Sequence, residues 1–150
     1  MSIEVKVLES KELNVDENNI VLLPINFSSS HKDEYHSTSI SFYKYVKKKI
    51  PISYFSEPKI LVEQRSGDWF GPELLLLSTA ILEKPNLVEL TIGVIKEYIV
   101  NFFKGEEIPI IKLEVSVKET KKSKLTKISY EGDIAGIDKL KESIYKIVEK

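Results

Sequence analysis

Hydrophobic residues recur along this chain with two different periods, and the changes from one period to the other mark its elements. Ile3, Val5 and Val7 alternate with Glu4 and Lys6, the period of two that buries one face of a strand and leaves the other wet. A polar stretch from Glu9 to Asn19 follows and predicts a loop. Ile20 to Phe27 is a nearly continuous apolar run interrupted by Pro24. Proline has no N–H to give a ladder, so the predicted strand ends there or lies at a sheet edge. Ser28 to Ser39 is the most polar stretch and predicts a loop ending in Ser or Thr caps for a helix. That helix, about Ile40 to Ile50, carries Ile40, Tyr43, Val46 and Ile50 on one side, and Pro51 stops it.

The most hydrophobic stretch runs from Lys59 to Gly105, and the rest of the chain is expected to pack on it. Its pattern predicts a central strand at Lys59–Gln64, a glycine-bounded turn from Arg65 to Gly71, and two helices separated by Pro85. The first opens on Pro72 and Glu73, suited to the first helical position and to the positive end of the dipole, and runs through Leu74 to Leu82. The second has Val88, Ile92, Ile95, Ile99 and Phe102 on one stripe, and Gly105 is its natural stop. Beyond it, Ile111, Leu113, Val115 and Val117 alternate with Lys112, Glu114, Ser116 and Lys118. Leu125 to Glu131 is the predicted partner strand of a hairpin turning through Glu119–Lys124. A terminal helix then places Ile137, Leu140, Ile144 and Ile147 on one face. Together these predict an α+β domain: a mainly antiparallel sheet with two or three helices packed on it, closing with a C-terminal β-hairpin and a terminal helix. The 150 residues fit a single domain over 1–150, large enough to bury roughly two-thirds of the surface its unfolded chain exposes.

Composition removes several function classes. The chain has no cysteine, which excludes disulfides, thiolate metal sites and cysteine nucleophiles. Its 22 basic residues nearly cancel its 23 acidic ones, and Arg65 is the one arginine. Both features argue against a dedicated DNA-binding domain, which needs a positive field and favours the arginine fork. The apolar helical stretches are broken by Glu83, Lys84 and Pro85 and again by Glu89, Lys96 and Glu97, so no run reaches the ~20 residues of a membrane span. The start, Met1 to Val7, lacks the basic and apolar regions of a secretory signal, and a cytoplasmic location is expected.

Four groups of residues are candidates for a site. His31, Asp33, Glu34 and His36 combine imidazoles and carboxylates that can hold a divalent ion, although their spacing matches no helical ligand pair and a solvated loop explains them as well. Arg65 and Ser66 stand in a turn between a predicted strand and a helix start, where an anion can bind; the turn has neither a Walker lysine nor spaced dinucleotide glycines. Lys47, Lys48 and Lys49, with Lys121, Lys122 and Lys124, can contact phosphates if the two clusters share a face, with Tyr43, Tyr45 and Tyr54 near enough in sequence to stack on bases. The chain has a surplus of apolar helical sequence for so small a domain, and part of it, Tyr98, Phe102 and Phe103 or the Trp69–Phe70 turn, is the candidate contact to a partner. No nucleophile elbow, Ser-His-Asp arrangement or paired-carboxylate motif is present in the sequence, and no cofactor is implied.

From Phe42 onward the order of features resembles the effector-associated constant component domains of bacterial conflict (antiphage) systems. The points of similarity are Phe42-Tyr-Lys-Tyr-Val-Lys47, then Ser66-Gly-Asp-Trp-Phe-Gly71 leading into a long apolar region that ends near Phe103. The strand Lys112–Val117, a second strand and the terminal helix Ile137–Ile144 complete the series. The resemblance covers about Phe42 to Lys150 and implies a small non-catalytic module working beside an effector in prokaryotic defence. The absence of a catalytic constellation from the sequence and the surplus of apolar helical sequence make the leading expectation a non-enzymatic interaction or regulatory module with a protein partner or a second copy of itself. The alternative is a nucleic-acid or nucleotide-phosphate binder that uses the lysine clusters.

Overall fold

The computed structural model describes residues 2–9, 20–27, 32–63, 69–119 and 124–148. In chain order its elements are β1 (Ser2–Glu9), β2 (Ile20–Leu23), β3 (Glu34–His36), α1 (Thr38–Val46), β4 (Ile52–Tyr54), β5 (Ile60–Val62) and β6 (Trp69–Leu77). After these come α2 (Ser78–Glu83), α3 (Leu87–Phe103), β7 (Ile111–Glu119), β8 (Lys124–Gly132), a 3₁₀ turn (Ile134–Asp138) and α4 (Lys139–Val148). Six strands form one mixed sheet in the order β1-β8-β7-β6-β2-β4, while β3 and β5 form a separate two-stranded parallel sheet. The pairs β1–β8, β7–β8 and β2–β6 are antiparallel, and β6–β7 and β2–β4 are parallel. The chain is thus α+β, with the C-terminal hairpin β7–β8 followed by a terminal helix.

Alternation in β7 sends Ile111, Leu113, Val115 and Val117 into the main core with Val88, Ile92, Ile95 and Ile99 of α3 and Leu140 and Ile144 of α4. Its polar positions turn to the other side of the sheet. The chain ends β2 at Leu23, directly before Pro24, where the missing donor forbids continuation. Helix α3 closes in a left-handed pair, Lys104 (φ 48°) and Gly105 (φ 86°), so the stop expected at glycine begins one residue earlier on a lysine. Pro85 lies exposed between α2 and α3, as expected of a connection. Among the described residues no helix is long and apolar enough to cross a membrane.

The stretch expected as a helix from Pro72 through Leu82 is instead strand β6 up to Leu77, followed by only six residues of helix in α2. Leu74 and Leu76 enter the helix-side core, whereas Leu75 joins Val21, Leu23 and Leu125 in a second cluster on the opposite face. A strand buried on both faces reads as an unbroken apolar run, and periodicity cannot tell it from a buried helix. Pro72 stands where the β6–β7 ladder shifts register, between Phe70 and Glu73; an irregularity of this kind is where a strand tolerates a residue without an N–H. Of the predicted central strand at Lys59–Gln64, Gln64 lies outside the described residues and Ile60–Val62 form β5, with Ile60 and Leu61 exposed. Its partner β3 falls inside the stretch expected to be a loop. Helix α1 begins at Thr38 and ends at Val46, two residues earlier and four residues shorter at its end than the hydrophobic stripe suggested.

Candidate functional site

On the face of the sheet away from the helices, register aligns Leu23, Glu73, Glu114, Ser129 and Glu4 in one row across five strands. Two carboxylates thereby meet in the middle of the sheet, with Glu73 hydrogen-bonded to Glu114. The next row sets Lys127 beside them, its Nζ 3.1 Å from Glu114 Oε2, and Ser129 Oγ donates to Glu114 Oε1 at 3.5 Å. Burial pushes the Glu73 carboxyl up to about 9; the hydrogen bond to Glu114 and its charge add to the rise, and Lys127 opposes it. The rise favours the neutral form of Glu73, which can donate a hydrogen bond to Glu114, while Lys127 pairs with Glu114 from the other side. A cavity of about 420 Å³ opens beside them, lined by Leu23, Asn26, Phe27, Glu73, Ser116 and Lys127 among others.

The overhang that bounds this cavity is fastened by Asn26. Its Nδ2 donates to the Lys32 carbonyl at 2.7 Å and its Oδ1 accepts from the Glu34 N–H at 2.8 Å, while Ile25 N–H donates to the Glu34 carbonyl at 2.7 Å. Phe27 packs edge-on against Phe55 at 5.1 Å. Burial lowers the pKa of His36, and the Glu114 charge partly opposes this. No local motif announces this cluster, because its two carboxylates come from different strands. The signal that could have found it is a single carboxylate, Glu73, standing immediately before four leucines.

The second feature is the free side of β1. This strand pairs with β8 on one side and ends the sheet on the other. Val5 and Val7 lie on the helix side of the sheet, yet they are 53% and 58% exposed. The alternation expected to bury them is present, but among the described residues no helix extends over the edge; of the three, Ile3 packs against the core. The opposite edge, β4, is only three residues long.

The candidates read from the sequence are scattered. His31, Arg65, Ser66, Lys121 and Lys122 lie outside the described residues. Among the described residues no three His, Asp or Glu side chains gather as a metal site; Glu34 and His36 share one side of β3, with Tyr35 between them buried. Tyr98, expected at an exposed interface, is only 3% exposed. It packs edge-on against Phe42 at 5.2 Å and donates its hydroxyl to Ser41 Oγ at 2.9 Å, because the i, i+3 and i+4 stripe of α3 carries it inward. Phe102 is 42% exposed and packs edge-on against half-buried Phe103 at 5.1 Å. Trp69 and Phe70 open β6. Lys47, Lys48 and Lys49 are exposed at the end of α1, but Lys49 is held by Glu97 at 2.5 Å and lies over the Tyr45 ring. Lys124 opens β8, four strand spacings from β4, into which Lys47–Lys49 lead. At ~4.8 Å per spacing that is ~19 Å, so Lys124 and the lysines at the end of α1 share an end of the sheet at opposite sides of it.

No protein family, curated protein or solved structure matches the chain.

Proposed function

We propose that this chain is a non-enzymatic protein-interaction module, an accessory component of a larger assembly of the prokaryotic defence kind, and that it docks through strand β1. The observation that supports this reading is an eight-residue edge strand with two exposed valines on the side where the rest of the sheet is covered. An edge of that length presents a row of backbone donors and acceptors, and natural folds shorten, charge or cover such edges unless another strand is to be added. The β4 edge is protected by being short; β1 is long, and its charged Glu4 and Lys6 lie on the open face while Ile3, Val5 and Val7 line the other. The aromatic pair Phe102 and Phe103 offers a smaller secondary contact.

The test is a variant carrying Val5→Lys and Val7→Lys, compared with the parent by light scattering across a dilution series and by pull-down. Both positions are already exposed, so the melting temperature should hold within a few degrees while association is lost. A parent chain that stays monomeric at high concentration and recovers no protein would overturn the proposal.

A further inference from the structure

We infer that the partner added at β1 is a second copy of this chain, paired antiparallel about a twofold axis through Val5; this rests on the reading of β1 as the docking edge. The residues of β1 select both the partner and the register. Directly opposed residues of an antiparallel pair point to the same face. A twofold axis through Val5 sets Val5 against Val5 of the second copy, Ile3 against its Val7, and Glu4 against its Lys6. The helix-side face then carries an unbroken stripe of six apolar side chains, and the open face carries two opposite-charge pairs.

Every neighbouring register is worse. A centre on Glu4 opposes two glutamates, and a centre on Lys6 opposes two lysines, both destabilising cross-strand pairs. A shift by one residue sets Glu4 against Val5 and turns the apolar face of one copy to the polar face of the other. Within its own sheet Lys6 lies opposite Lys127, and Lys127 is engaged by Glu114. Among the described residues neither Glu4 nor Lys6 has an ion pair. Glu4 of the second copy would give Lys6 an opposite charge on its free side.

An isologous contact of this kind closes as a dimer and consumes the edge on both copies. The product is one sheet of twelve strands, with the helices of both copies on one side and both Glu73–Glu114 clusters on the other. A pairing over seven residues buries less than the ~1,200 Å² of stable complexes, so association in the micromolar range is expected.

Because the chain has no cysteine, Val5→Cys reports this geometry without background. Under mild oxidation it should form a disulfide-linked dimer as the main species, whereas Leu82→Cys, exposed on the far end of α2, should not. Glu4→Lys and Lys6→Glu, each alone, should weaken self-association at least tenfold in sedimentation or light scattering. The double variant should recover it to within about threefold, with melting curves confirming that all four chains fold. A parent dimer that Val5→Cys fails to trap, or a double variant no better than the singles, would overturn the register and the second-copy assignment. A parent that is monomeric throughout, yet loses capture of another protein on Val5→Lys with Val7→Lys, would overturn the second copy and leave β1 as a docking edge. Loss of neither would remove both.

Discussion

Glu73 faces Glu114 on the half-buried open side of the sheet, so exchanging its carboxyl for an amide asks whether one proton is held there. The folded chain raises this group to about 9, against ~4.3–4.5 for an unfolded glutamate. Between those values the folded state binds a proton that the unfolded chain has released. The contribution of Glu73 to stability therefore falls as pH rises through about 4.5 to 9, and is constant below and above that window. At pH 7 the cost is at most ~3.4 kcal/mol, the ~2.5 pH units above the unfolded pKa at ~1.36 kcal/mol each. Glu73 is only partly shielded from solvent, which discounts this to ~1–2 kcal/mol. Glu73→Gln supplies a permanently neutral N–H donor to Glu114 and avoids that cost. At pH 7–8 it should raise the melting temperature by roughly 3–8 °C for a chain of this size, and the gain should shrink to nothing near pH 4. Thermal and urea unfolding of parent and variant at pH 4, 5.5, 7 and 8.5 measure this directly. A variant less stable than the parent at pH 8, or one with the same advantage at every pH, would mean that Glu73 is ionised in the fold and that Lys127 serves both carboxylates.

Tyr35 is fully buried, donates its hydroxyl to the Ser56 carbonyl at 3.1 Å and accepts from the Ser56 N–H at the same distance. Tyr35→Phe should cost ~1–2 kcal/mol, read from urea unfolding, because the Ser56 N–H loses its partner; a cost near zero would show that water replaces the hydroxyl. Pro85→Ala should shift stability by under ~1 kcal/mol, since the ring is exposed and the Pro85 carbonyl can still accept from Tyr145. Ile95→Asp and Leu76→Asp, at positions with essentially no solvent contact, should each cost several kcal/mol. Thermal melts that ranked the aspartate variants level with Pro85→Ala would remove these side chains from the core.

How much of the fold was legible depended on which faces of an element are wet. Strand β7 could be read residue by residue because Lys112, Glu114 and Ser116 face away from the core that takes Ile111, Leu113, Val115 and Val117. Helix α3 was legible for the same reason, with Glu89, Lys96 and Glu97 off its buried stripe. Strand β6 was not, because Leu74 to Leu77 are buried on both faces and carry no alternation to detect. Strands β3 and β5 are three residues each, too short for any period to register. In β1 the period was legible and the burial was not: alternation says which residues share a face, but only the tertiary arrangement says whether that face is covered at the edge.

The carboxylate pair shows the same limit one level higher. Glu73 and Glu114 meet because β6 and β7 are parallel neighbours, and parallel neighbours require a crossover, here α2 and α3, that separates them widely in sequence. No local motif can announce a contact made this way. Yet once Leu74 to Leu77 are placed in a strand, parity puts Glu73 on the face of Leu75 and away from Leu74 and Leu76. The same parity puts Glu114 on the face opposite Leu113 and Val115. Pairing β6 with β7 then leaves only the register to be fixed, and the irregularity at Pro72 fixes it, since the ladder resumes with Glu73 opposite Glu114. The misreading of six residues as the start of a helix therefore hid the cluster, because a carboxylate at a helix N-terminus is already explained by the dipole. A carboxylate in the middle of a sheet is not.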